Sequence, residues 1–215
     1  MTTVMTNMTT YLVIDIETIP YQNLSEDLKP ECKLGNLKDK NKIEAKQKEW
    51  QEGGQIKALS LDPLTNEIVC ISMWSSISNN FIEDNNTSEK DYLQSFWNEV
   101  KCHDLIVGKN HISFDIPTII IRSMFLNIPI TRKFSLSKYQ TFSLFDIQQV
   151  LTMNFNQPKS LNWLAKRFGI QCDESNGSKV YDWWKEGKKD MIVKHCQSDV
   201  LITKEIFERI KDYFG

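Results

Sequence analysis

The chain has 215 residues, 40% apolar and 25% charged, with a formal net charge of −2. That balance fits one globular domain with a sizeable core and gives no global pull toward nucleic acid or anionic membrane. A local basic surface could still be cancelled by a cluster of acids. No apolar run approaches the ~18 residues of a membrane span, and the polar start MTTVMTNMTT does not have the build of a signal peptide. The five cysteines, Cys32, Cys70, Cys102, Cys172 and Cys196, are scattered and form no CxxC pair. Free thiols in a reducing, cytoplasmic setting are expected, and a structural zinc site is not.

In chain order, YLVIDIE (11–17) is a nearly unbroken, β-branched apolar run, the pattern of a central strand buried on both faces. Residues 20–57 read as a lysine-rich insertion, partly helical around 40–51 and bounded by Pro20, Pro30 and Gly53-Gly54. It is either a solvated decoration or a basic flap over a polyanion, through Lys38, Lys40, Lys42, Lys46 and Lys48. EIVCISMWS (67–75) and NNFIED (79–84) predict two antiparallel strands joined by a tight turn. A helix over 88–101, a short buried strand DLIVG (104–108) and a helix from FDIP to about residue 126 follow. FSLFDI (142–147) predicts another strand. SLNWLAKRFG (160–169) carries a Ser start and a Gly stop for a compact helix. A last helix is predicted over 188–213. Strands alternating with helices, one pair antiparallel, predict an α/β fold with a mixed central sheet.

Three segments place carboxylates where they need explaining. In DIET (15–18), side chains two apart on a strand share a face, so Asp15 and Glu17 project together. Asp15 sits between Ile14 and Ile16, and a buried carboxylate is unfavourable unless it is paired or holds a metal. In GKNHISFDIP (108–117), Asp115 has a plain reading as helix N-cap, with Pro117 in the first turn. That position is also compatible with a site near the open end of a sheet. On the last helix, at ~100° per residue, Ile192, Ile206 and Ile210 fall within about 20° of Asp199, and His195 and Thr203 about 40° away. Asp199 is thereby predicted to face inward, with His195 one turn earlier on the same face. An inward aspartate needs a partner, and a cation shared with other carboxylates is one. Oxygen ligands suit Mg²⁺ or Mn²⁺, and two such ions can activate water against a phosphodiester. A neighbouring histidine could take the proton. Trp183 and Trp184 read as packing residues that could also stack bases. Asp146 and Asp182 are weaker candidates for extra ligands.

LVIDIET, LIVGKNHISFDIPTI and HCQSDVLITKEIF together resemble the DnaQ-like, or DEDD, 3′–5′ exonucleases of the ribonuclease H-like fold. SLFDI and SLNWLAKRFGI resemble the connecting region of proofreading-type members. ECKLGNLKDKNKIEAKQKEW and LDPLTNEIVCIS look like phage-encoded members, which would put the protein in a host cytoplasm. The resemblance covers most of residues 11–210 and implies a mixed five-stranded sheet flanked by helices, a single exonuclease domain spanning residues 1–215. It implies that Asp15, Glu17, Asp115 and Asp199 bind two divalent cations, Mg²⁺ or Mn²⁺. Asp15 would bridge both, Glu17 and Asp199 would favour the ion carrying the nucleophilic water, and Asp115 the other. It also implies that Asn110 and Phe114 line the pocket for terminal nucleotides and that the backbone near Thr18 meets the 3′ end. Histidine-type members carry His five residues before the last Asp, and tyrosine-type members carry Tyr four before. Here His195 stands at the tyrosine-type spacing. The implied substrate is single-stranded DNA or a frayed 3′ end, with RNA trimming as an alternative. From another class, a catalytically silent nucleic-acid-binding or replisome-docking module would keep the fold. No polymerase-sized segment follows in the sequence, so proofreading is expected to act in trans with a polymerase or replisome protein.

Overall fold

The computed structural model describes residues 9–83, 87–136, 143–152, 157–172 and 177–214. Five strands form one sheet in the order β3-β2-β1-β4-β5. These are β1 (Tyr11–Pro20), β2 (Asn66–Ser75), β3 (Asn80–Phe81), β4 (Leu105–Gly108) and β5 (Leu144–Asp146). β1 is central, antiparallel to β2 and parallel to β4; β5 extends the parallel half. The sheet is the mixed five-stranded one expected.

The apolar run of β1 supplies both faces, as its lack of alternation predicts. Leu12, Ile14 and Ile16 pack with Tyr92, Phe96 and Trp97 of α3 (Glu89–Val100) and Ile116 and Ile119 of α4 (Asp115–Phe125). On the other face Val13 joins Leu164 of α6 (Leu161–Phe168) and Val200, Ile202 and Ile206 of α8 (Lys189–Ile210). Each fully buried aliphatic side chain stabilises by roughly 1.5–3 kcal/mol, so the sandwich around β1 is the main support of the fold.

Helix starts and stops follow local chemistry. Ser88 caps α3 in a capping box with Asp91, and Ser160 accepts from the Trp163 N–H to open α6. Gly169 closes α6 at φ 68°, the left-handed conformation that glycine adopts without a Cβ penalty.

Several boundaries differ from expectation. β1 runs three residues past Glu17, to Pro20, across a bulge between Glu17 and Thr18. A bulge re-aims side chains, and such irregularities are frequent beside active sites. The strand expected at 79–84 is confined to Asn80–Phe81, and Asp84 lies outside the described residues, as does Phe142 of the strand expected at 142–147. The helix expected around 40–51 is α1 (Lys40–Glu49), followed by a wide turn at Trp50–Gly54 and then α2 (Gln55–Ser60). α1 buries none of its residues, whereas α2 buries Leu59 and receives a 2.7 Å hydrogen bond at the Ser60 carbonyl from Thr18 Oγ1. Two further short helices are α5 (Ile147–Leu151) and α7 (Val180–Lys185). Among the described residues, no helix is long and apolar enough to cross a membrane.

Candidate active site

β1 delivers Asp15 and Glu17 to the face covered by α8, opposite Ser72 and Cys70 of β2. The two carboxylates are only partly exposed. From α8, the His195 Nε2 lies 3.4 Å from Glu17 Oε1, and the His195 side chain is 5% exposed. One residue on, the Cys196 thiol approaches the Asp15 backbone oxygen at 3.3 Å and its Oδ2 at 3.4 Å. Ligand atoms of Asp15, Glu17 and Cys196 all fall within 4.8 Å of one another.

Asp115 and Asp199 lie outside that 4.8 Å group but near enough for their charges to act on Asp15 and Glu17. Asp115 is buried, at the first position of α4; the cap position itself is Phe114, so the N-cap expectation for Asp115 shifts by one residue. Its carboxyl turns to the backbone N–H of Ile16 in β1, between the two strand acids. Asp199 is half-buried on the α8 stripe whose members Ile192, Thr203, Ile206 and Ile210 are buried. The stripe is therefore apolar and inward as expected, with Asp199 at its open part.

The electrostatics follow from this crowding. Burial, then the charges of Asp115 and Asp199, push the Asp15 carboxyl well above the usual carboxylate range. Burial, then Asp15 and Asp199, does the same to Glu17. Burial raises Asp115 to about 7, with a smaller push from Asp146. Burial also raises Asp199, against the lowering effect of His195 and Lys109. Like charges held together in a desolvated place favour protonation unless a cation compensates.

The donor set fits hard divalent cations. The four acids offer only oxygen. Burial pushes the Cys196 thiol up, and it donates to Asp15 Oδ2 at 3.4 Å. An all-oxygen set matches Mg²⁺ or Mn²⁺ better than zinc.

The other predicted residues frame the acids. Thr18 sits just past the bulge and is tied to Ser60. Asn110 is held at φ 62°, with its Oδ1 accepting from Gln148 Nε2 at 2.9 Å. Phe114 is half-buried and packs on the core beneath α4. Asp146 is not turned out as a ligand: its oxygens accept backbone N–H groups. Asp182 is exposed and pairs with Lys185 at 2.9 Å. Trp184 stacks on Tyr181, and Trp183 meets the His195 ring edge-on with centroids 5.9 Å apart. Cys196 and Lys109 were not singled out by sequence reasoning. Lys109 follows β4 directly and could have been found from its place one residue before Asn110; Cys196 gives no local signal.

A family model described as "Predicted 3'-5' exonuclease related to the exonuclease domain of PolB" matches residues 64–215. The chain belongs to this family. The match to the PolB-related exonuclease family takes in Asp115, His195 and Asp199, while β1, with Asp15 and Glu17, precedes it. Among solved structures, the family B DNA polymerase from the hyperthermophilic archaeon Pyrobaculum calidifontis superposes with a TM-score of 0.62 at 19% identity. The alignment covers 96% of this chain and 25% of the polymerase, so the chain spans about a quarter of that polymerase's length. At that identity the likeness bears on the fold, the ribonuclease H-like one. No curated protein matches in sequence.

Proposed function

We propose that this member of the PolB-related exonuclease family removes nucleotides one at a time from the 3′ end of single-stranded DNA or a frayed duplex end. The observation that carries the reading is the pairing of Asp15 and Glu17 on one face of β1, with Asp115 and Asp199 from two other segments close enough that their charges push both carboxyls up. Nothing about folding alone favours such a group.

In this reading the four acids hold two divalent cations, Mg²⁺ or Mn²⁺, which supply activation of a water and charge stabilisation on the phosphodiester. Asp15, flanked by the other acids, would help hold the cations. Glu17 and Asp199 would hold a cation beside His195, and Asp115 would contribute from the α4 side. His195, facing Glu17, takes or orients the proton leaving the water. Asn110 and Phe114 bound the place of the terminal nucleotide, and the backbone at Thr18 meets the 3′ end. The exposed α1, rich in lysine, is a solvated surface. The five free cysteines among the described residues support a reducing, cytoplasmic setting. A polymerase acting in trans is the partner this activity fits.

The test is digestion of 5′-labelled single-stranded DNA and RNA with Mg²⁺, Mn²⁺ or chelator. A metal-dependent ladder from the 3′ end of DNA supports the reading. A ladder on RNA alone reassigns the substrate to RNA. Intact DNA and RNA under every condition, with the nucleic acid still bound, would leave a silent binding module.

A further inference from the structure

A fifth carboxylate works beneath the loop that carries Asn110, Phe114 and Asp115. Asp146 ends β5 and is 2% exposed. Its Oδ1 accepts from the N–H groups of Asn110 at 2.8 Å, Gln148 at 2.9 Å and Gln149 at 3.4 Å. Its Oδ2 accepts from the Ile112 N–H at 3.3 Å. One side chain thus satisfies backbone donors on two segments far apart in sequence, the turn after β4 and the start of α5.

The turn needs such an anchor. Asn110 lies in the left-handed region, which asparagine adopts more readily than other residues with a Cβ but which still gains from outside hydrogen bonds. Gln148 Nε2 adds a 2.9 Å bond to Asn110 Oδ1. His111, whose Nδ1 lies 3.7 Å from Asp146 Oδ2, is pressed against Gly108 so closely that a Cβ at Gly108 would lie 2.7 Å from the His111 Cβ. The turn leads without a break into α4: the Phe114 N–H donates to the Asn110 carbonyl at 3.1 Å, and the Ile116 N–H donates to the His111 carbonyl at 2.9 Å. Between these two bonds sits Asp115. What fixes Asn110 and Ile112 therefore fixes the Asp115 carboxyl against β1.

We infer that Asp146 is a positioning residue: from β5 it clamps the turn at Asn110–Ile112 and so sets Asp115 in place before cation or nucleic acid arrives. The inference rests on the nuclease reading above. It differs from a ligand role, because both Asp146 oxygens are taken up by backbone donors.

Two measurements test it. The first is amide hydrogen exchange on the metal-free wild type, in which the Asn110 and Ile112 amides are expected to be protected, and to exchange about 10-fold or more faster in Asp146→Asn, with β1 amides unchanged. The second is steady-state digestion of a labelled oligodeoxynucleotide across Mn²⁺ concentrations. Loss of a supporting bond behind a metal ligand typically lowers metal affinity or activity by roughly 10- to 100-fold. We expect kcat to fall and half-saturating Mn²⁺ to rise on that scale in Asp146→Asn, with KM for the oligonucleotide within about two-fold. A folded Asp146→Asn with kcat and Mn²⁺ response within about two-fold of wild type would overturn the inference. So would fast exchange at Asn110 and Ile112 in the wild type, a result that stands even if the variant does not fold. A wild type without nuclease activity would sink the nuclease reading instead, and the exchange data would still judge the clamp.

Discussion

The Nε2 of His195 lies 3.4 Å from Glu17 Oε1, joining the last helix to the first strand at the acidic group. Four residues is about one helical turn, so a group at this spacing shares a face with Asp199. If His195 handles the water's proton, His195→Ala lowers the rate by roughly 10²–10⁴. His195→Tyr keeps appreciable activity, since the spacing is the one at which a tyrosine serves. Single-turnover digestion measures both, and a rate indifferent to His195→Ala would demote the residue to packing.

Trp183 holds the His195 ring edge-on, at 72° between planes. Such aromatic pairs contribute about 0.5–1.5 kcal/mol. Trp183→Ala is therefore expected to slow digestion by about two- to ten-fold, far less than His195→Ala. In the double variant the Trp183 effect should vanish, because it acts through the histidine.

Removing one acid relieves repulsion while removing a ligand. Asp15→Asn and Asp199→Asn are expected to lose nucleotide release by on the order of 10³ or more, the scale of losing one preorganised electrostatic element. Their Tm in chelator should equal or exceed that of the wild type. Digestion at the wild-type rate by both variants would remove the proposed chemistry.

An acid whose folded-state pKa is raised binds its proton more tightly when folded, so stability falls as pH climbs from its unfolded toward its folded value. For Asp115, from 3.8 to about 7, the loss in metal-free protein reaches about 4 kcal/mol at neutral pH. Asp115→Asn should make this fall shallower, leaving the share of Asp15, Glu17 and Asp199. The wild-type-minus-variant difference in Tm between pH 5 and 8 reads this share together with the push that Asp115 gives Asp15 and Glu17, whose carboxyls are also raised and titrate in the same sense. Mn²⁺ binds the deprotonated carboxyls, so its stabilising effect should be larger at pH 8 than at pH 5. Equal effects at both would contradict the assignment of these acids as the cation's ligands.

Much of this arrangement was legible along the chain because it is periodic or local. The unbroken run at 11–17 announced a strand buried on both sides, and Ser160 with Gly169 marked both ends of α6. The spacing of Ile192, Ile206 and Ile210 around Asp199 fixed which way that aspartate points. Contacts between distant segments left no such trace. Cys196 reaches Asp15 across 181 positions, and Asp146 reaches Asn110 across 36. The extension of β1 to Pro20 also hid, because Thr18 follows two acids and the strand continues only by way of a bulge.

The most direct measurement is anomalous scattering from crystals soaked in Mn²⁺, with wild type and Asp15→Asn compared. Anomalous peaks are expected between the carboxyl oxygens of Asp15, Glu17, Asp115 and Asp199, weakened or absent in the variant. No peak among those oxygens in the wild type, or an equal peak in Asp15→Asn, would contradict this expectation.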